Sequence, residues 1–167
     1  MNCFLLAEEK KILMSKLDEI DLKILGLLQV DARMTIKEIA AQLNLSTTPI
    51  FARIKKLENE GIIDRYVAVL NPEKLGKKLN AFANISIKEH SKKAVQDFVE
   101  KVISFPEVME CHYVTGTADF ILKVLVEDIE QYNLFVLDKL ADVPNIGKVE
   151  SLFSLSVGKK TNVIPLD

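Results

Sequence analysis

The chain has 167 residues, 49% of them hydrophobic and 28% charged, with a formal net charge of −2. A chain of this length holds one compact domain or two small ones, and its apolar content excludes disorder except at the ends. The two cysteines, Cys3 and Cys111, lie too far apart for a CxxC pair, which excludes a disulfide framework or a zinc cluster, and no run reaches the roughly 20 apolar residues of a membrane span.

The opening MNCFLLAEEKKILM is too acidic in its middle, and too short in its apolar run, for a signal peptide, so a cytoplasmic setting is expected. Charge is spread unevenly. Residues 1–70 balance ten basic against ten acidic side chains and hold all three arginines, Arg33, Arg53 and Arg65, which leaves the net −2 to the remainder.

Three segments before residue 70 carry apolar residues at helical spacing. They are Ile20, Ile24, Leu27 and Leu28; Ile36, Ile39, Ala40 and Leu43; and Ile50, Ile54 and Leu57. Thr35 and Glu38 stand in capping-box spacing, which predicts a helix start at Thr35. Asn44 accepts a left-handed backbone and predicts a sharp reversal after Leu43. Ser46 then caps the next helix, Pro49 sits in its first turn, where a missing N–H costs nothing, and Gly61 ends it. Two helices joined by a tight turn, with the small Ala40 between them, read as a helix-turn-helix.

The third helix is amphipathic in an unusual way. Opposite its apolar stripe it presents Thr47, Thr48, Phe51, Ala52, Lys55, Lys56 and Asn59. Hydroxyl, methyl and aromatic groups at the N-terminal end suit base edges in a DNA major groove, and basic groups suit phosphates. The expected DNA-binding residues are Ser46, Thr47, Thr48, Phe51, Ala52, Arg53, Lys55 and Lys56. Taken singly, each has an ordinary reading as a helix cap or solvated face.

The stretch GIIDRYVAVL is β-prone, a short strand or wing, and Asn71-Pro72 with Gly76 to Lys78 reads as a linker. Beyond it, strand and helix patterns alternate. Ala81–Ile87, Val108–Thr115, Asp119–Val126 and Lys148–Val157 read as strands; Val95, Phe98, Val99, Val102 and Ile103 mark one helix, and Ile129, Tyr132, Val136, Leu137 and Leu140 another. The order βαββαβ is ferredoxin-like. Both faces of the third strand are apolar, since Phe120, Leu122, Val124 and Val126 alternate with Ile121 and Leu125. The sheet face away from the helices therefore needs a cover, either another subunit or a loop or neighbouring domain of the chain.

No enzymatic constellation accompanies the two histidines, His90 and His112, so no catalytic residue, metal site or cofactor is expected. Cys111 and His112 are adjacent on a predicted strand and point to opposite faces, which suits structural roles rather than one metal.

With these residues in place, the chain resembles the Lrp/AsnC (feast/famine) family of transcription regulators over Leu17 to Leu166. The resemblance is carried by LDEIDLKILGLLQVDARMTIKEIAAQLNLS, TTPIFARIKKLENEGIIDRYVAVLNPEKLG and ECHYVTGTADFILKV in that order. It implies an α+β chain with an N-terminal three-helix, winged helix-turn-helix domain and a C-terminal βαββαβ ligand-sensing domain. It also implies double-stranded DNA as partner, homodimers that assemble into octamers, and an amino-acid effector bound near the turn between the second and third strands. That turn is Thr115, Gly116, Thr117, Ala118, Asp119 and Phe120, in which Gly116 permits an unusual dihedral, free N–H groups receive a carboxylate and Asp119 receives an ammonium. A plain hairpin turn is the alternative. Thr117 stands where family members often carry an acidic residue. Similarity also places Ile129 and Phe153 in the effector pocket, although their spacing fits core positions.

The expected organisation is an extension over 1–16, of which 1–13 is an added segment or an upstream start; the helix-turn-helix domain over 17–70; a linker over 71–80; the effector-binding and oligomerisation domain over 81–160; and a tail over 161–167. The competing function is a metabolite-binding module whose helical domain docks on a protein.

Overall fold

The computed structural model describes residues 17–166, and the expected N-terminal extension lies outside them. The described residues form two compact units, residues 17–68 with 160–166, and Val69–Lys159.

The first unit contains α1 (Glu19–Val30), α2 (Ile36–Gln42) and α3 (Thr47–Asn59). Each start has its own local chemistry. Asp18 caps α1 and exchanges hydrogen bonds with Asp21 in a capping box, while Thr35 and Glu38 form the expected box at α2. Ser46 is the N-cap residue of α3 but makes no side-chain cap bond. An N-cap oxygen accepts from the second or third helical N–H, and the third residue here is Pro49, which has none.

Asn44 takes the predicted left-handed conformation, with φ 53°, and turns α2 into α3; Gly61, at φ 68°, closes α3. Ile24, Leu25, Ile39, Ala40, Ile50, Ile54 and Leu57 are buried together as the core of this unit. Residues 64–70 have no regular secondary structure, so the β-prone stretch forms no wing strand here. Its backbone finds no partner strand among the described residues.

The chain's end belongs to this unit rather than forming a separate tail. Gln29 Nε2 donates to the Ile164 carbonyl at 3.1 Å, and the Ile164 N–H donates to Gln29 Oε1 at 2.6 Å. Leu166 packs against the helical core.

The second unit begins at Val69, two residues before the expected linker, within which a 3₁₀ turn, Glu73–Leu75, ends at the left-handed Gly76. Then follow β1 (Leu79–Ile87), α4 (Lys92–Ile103), β2 (Val108–Tyr113), β3 (Phe120–Val126), α5 (Ile129–Leu134) with a π turn over Phe135–Leu140, and β4 (Ile146–Phe153). The antiparallel sheet has the order β2-β3-β1-β4, the ferredoxin-like arrangement expected from the element order. Ala81, Ala83, Ile85 and Ile87 of β1 and Phe120, Leu122, Val124 and Val126 of β3 face Phe98 and Val102 of α4 and Tyr132, Phe135 and Leu140.

The π turn alters the phase that sequence spacing predicts. Widening the helix by about one residue per turn steps the buried positions from Phe135 to Leu140 and leaves Leu137 exposed, while Ile129, at the first position of α5, is exposed as well. Ile129 is therefore no core residue, whereas Phe153 lies half-open at the end of β4 with its ring 5.1 Å from that of Tyr132. The opposite sheet face carries Phe82, Ile121, Leu125 and the exposed Leu152 between polar neighbours.

Candidate DNA-facing helix and effector turn

On α3, Ile50, Ile54 and Leu57 point inward, and Ser46, Thr47, Thr48, Phe51, Ala52, Lys55 and Lys56 are all exposed. Thr47, Thr48 and Phe51 share one open depression with Thr35, Ile36 and Lys37 at the start of α2, which the sequence did not mark as DNA-facing. The N-terminal end of α3 thus offers two N–H groups, the uncommitted Ser46 hydroxyl, two threonine hydroxyls and an exposed aromatic ring on one surface. Such an end attracts negative charge through its dipole and unpaired N–H groups.

Arg53 is the exception among the expected DNA contacts. Its Nη1 lies 2.6 Å from Asp18 Oδ2 and 2.7 Å from Asp21 Oδ1, both at the start of α1. Asp21 is 1% exposed, and Lys56 Nζ stands 3.8 Å from its other oxygen. The Asp21 N–H and then the Arg53 guanidinium hold the Asp18 carboxyl below the usual range, and hydrogen bonds to Asp21 and Asp18 raise the guanidinium's own pKa. Arg53 is thus bound within the helical unit through Nη1, with its side chain 29% exposed. The spacing Asp18-x-x-Asp21 signals a capped helix start, but nothing in the sequence pairs it with residue 53.

Lys55 and Lys56 keep more freedom. Lys55 Nζ bonds Glu58 at 2.6 Å on its own helix, and Tyr66 donates to the other Glu58 oxygen at 3.1 Å. Those two contacts, Lys55 first, hold the Glu58 carboxyl below its ordinary pKa. An exposed lysine pair of this kind is weak and salt-screened, and it does not withhold the ammonium from a phosphate.

In the second unit, Thr115, Gly116, Thr117 and Ala118 link β2 to β3, and Gly116 has φ 131°. Space around Gly116 is open, so the dihedral is what requires glycine there. The backbone closes below this turn through the Val114 N–H to Asp119 carbonyl bond at 2.8 Å. The four N–H groups of residues 115–118 make no hydrogen bond among the described residues.

Asp119 is tied to neighbouring groups through both carboxylate oxygens. Its Oδ2 accepts from the Ile87 N–H at 2.9 Å, and its Oδ1 lies 2.9 Å from His90 Nε2. The Ile87 N–H, and then His90, keep its carboxyl below the ordinary aspartate value. Asp119 thus fastens the turn to the end of β1. Phe120 is fully buried in the core, its ring 4.6 Å from Phe98 and 4.9 Å from Tyr113. His112 is exposed and pairs with Glu110 at 3.0 Å; Cys111 is partly buried, which raises its thiol pKa.

Comparison with known proteins matches both units. Residues 17–64 match a winged helix-turn-helix DNA-binding domain, and residues 80–164 match the Lrp/AsnC ligand binding domain. The chain belongs to the Lrp/AsnC family.

Among its Lrp/AsnC relatives is the DNA-binding transcriptional activator DecR of Escherichia coli, 37% identical over 151 residues that cover 90% of this chain and 99% of DecR. The Bkd operon transcriptional regulator of Pseudomonas aeruginosa is 35% identical, covering 85% of this chain and 93% of its own. A Neisseria meningitidis transcriptional regulator solved in complex with L-Met superposes with a TM-score of 0.87 at 37% identity, covering 91% of this chain and 98% of that one. An AsnC family regulator from Agrobacterium tumefaciens gives 0.86 at 38% identity, covering 90% and 97%. The chain is thus a DNA-binding transcription regulator of the Lrp/AsnC type with a ligand-binding domain, and the protein-docking alternative is not favoured. Its relatives are regulators rather than enzymes.

Proposed function

We propose that this Lrp/AsnC regulator reads double-stranded DNA through Ser46, Thr47, Thr48, Phe51 and Ala52, with Lys37, Lys55 and Lys56 on phosphates. The observation that carries this reading is the exposed N-terminal end of α3, whose polar groups share one depression with the start of α2. Two copies form the working unit, in the cytoplasm, and larger assemblies up to an octamer follow the family pattern. The apolar residues Phe82, Ile121, Leu125 and Leu152 on the open sheet face supply the surface for association.

The effector is an amino acid. Its carboxylate meets the N–H groups of Thr115, Gly116, Thr117 and Ala118, while Asp119 holds the turn in place rather than serving as the main receptor for the ammonium. The L-Met complex of the Neisseria relative supports this chemistry. No metal or cofactor enters the mechanism. Effector binding changes DNA affinity by a coupling of about 1 to 3 kcal/mol, as is usual between two linked sites.

The test is selection of genome fragments by the purified protein at two salt concentrations, with and without pools of amino acids. A palindromic motif that salt weakens and one pool alters is expected. Absence of an enriched motif under every condition refutes the DNA-reading assignment, and a motif indifferent to all pools refutes the effector assignment.

A further inference from the structure

The Asp18, Asp21 and Arg53 cluster joins the two ends of the helix-turn-helix unit. Asp21 is the only charged side chain among the buried residues of the described chain. It accepts from Arg53, stands within 3.8 Å of Lys56, and accepts from the Asp18 N–H at 3.4 Å. Taking a carboxylate out of water costs several kcal/mol unless it is paired, so its place in an otherwise apolar core calls for a reason besides stability.

Orientation supplies that reason. Ile50, Ile54 and Leu57 hold α3 by apolar contact, which is non-directional and tolerates small rotations about the helix axis. Charge-assisted hydrogen bonds are short and directional. Arg53 sits on the flank of α3, between the buried stripe and the exposed one, where a bond to α1 resists rotation in a way the stripe does not. With side chains about 5.5 Å from the helix axis, a rotation of about 20° carries their tips by roughly 2 Å. That displacement takes a base-contacting group beyond hydrogen-bond range.

We propose that Arg53 is a positioning residue, which sets the rotational register of α3 through Asp21 and Asp18 and so presents Thr47, Thr48 and Phe51 to DNA, without itself touching a phosphate. This rests on the reading of α3 as the helix that meets DNA.

The test uses the full chain and an operator fragment obtained by selection with the wild-type protein. Affinity is measured by fluorescence anisotropy across a salt series for Asp21→Asn, Arg53→Gln and the double variant, with circular dichroism establishing folding at the assay temperature. The double variant replaces the ion pair with two neutral amides, and it keeps the test open where a single variant leaves a buried charge unpaired and fails to fold. The expected result is at least tenfold weaker binding by each folded variant, an unchanged log-log salt slope, and no further loss in the double variant beyond the worse single one. Two results overturn the proposal. One is a salt slope flattened by about 1.8 for Arg53→Gln, the loss of one phosphate contact per protomer of a dimer, with Asp21→Asn binding as wild type. The other is wild-type affinity in all folded variants, which reduces the cluster to a stability element. Failure to select any operator fragment falls on the DNA reading, not on the role of Arg53 within it.

Discussion

Replacing Lys55 and Lys56 together by alanine removes the two cations of α3 that remain available to phosphates, their side chains 54% and 43% exposed. With Arg53 paired to Asp18 and Asp21, the proposed phosphate contacts per protomer are Lys37, Lys55 and Lys56. Two protomers on one operator then make about six contacts, and the expected log-log salt slope is about −5.4. With only Lys37 left, the slope falls to about −1.8. Raising salt from about 50 to about 200 mM should weaken the wild type roughly 1,800-fold and the double variant only about 12-fold. Both values come from anisotropy titrations on one operator fragment, with circular dichroism as the check on folding. Because neither lysine is buried, the helical unit should stay intact. Equal slopes for the two proteins would refute the assignment of these lysines to phosphates, whatever their absolute affinities.

Other perturbations probe the two units separately. Thr35→Ala removes the hydroxyl that accepts from the Glu38 N–H and leaves the backbone half of the α2 capping box in place, so the helical unit should lose about 1 kcal/mol in urea unfolding. Gln29→Ala breaks both bonds to Ile164, and a loss of about 1 to 3 kcal/mol is expected in the same assay; an unchanged midpoint would detach the chain end from the stability of α1. Asp119 contributes through a folded-state pKa below its unfolded value, so its contribution is complete above the ordinary aspartate range and disappears as pH falls through the depressed value. The Ile87 amide resonance should accordingly report a titration below about pH 4, and Asp119→Asn should abolish that titration. Phe98→Ala empties a fully buried site beside Phe120 and should cost the sheet unit about 3 to 5 kcal/mol.

Much of this regulator is decided by local rules that the sequence states by itself. The Thr35 and Glu38 box, the left-handed Asn44 and the stop at Gly61 each depend on a side chain's own backbone, so their spacing was enough. The apolar stripe Ile50, Ile54 and Leu57 and the alternation of Phe120, Leu122, Val124 and Val126 follow from helix and strand periods, and they placed the exposed face of α3 without coordinates. Tertiary structure decided the pairings between residues far apart in the chain. The sequence marks Arg53 and Asp119 as charged groups at the two candidate sites, but only the fold brings Asp18 and Asp21 to Arg53, and the Ile87 N–H and His90 to Asp119. Phe120 belonged to the turn by sequence and to the core by packing. The π turn and the return of Ile164 to Gln29 likewise depend on contacts that no local period encodes. A residue's type and spacing determine which interactions it can make; which of them it makes is decided by the partner that folding brings within reach, because hydrogen bonds and ion pairs act over a few ångströms and not along the chain.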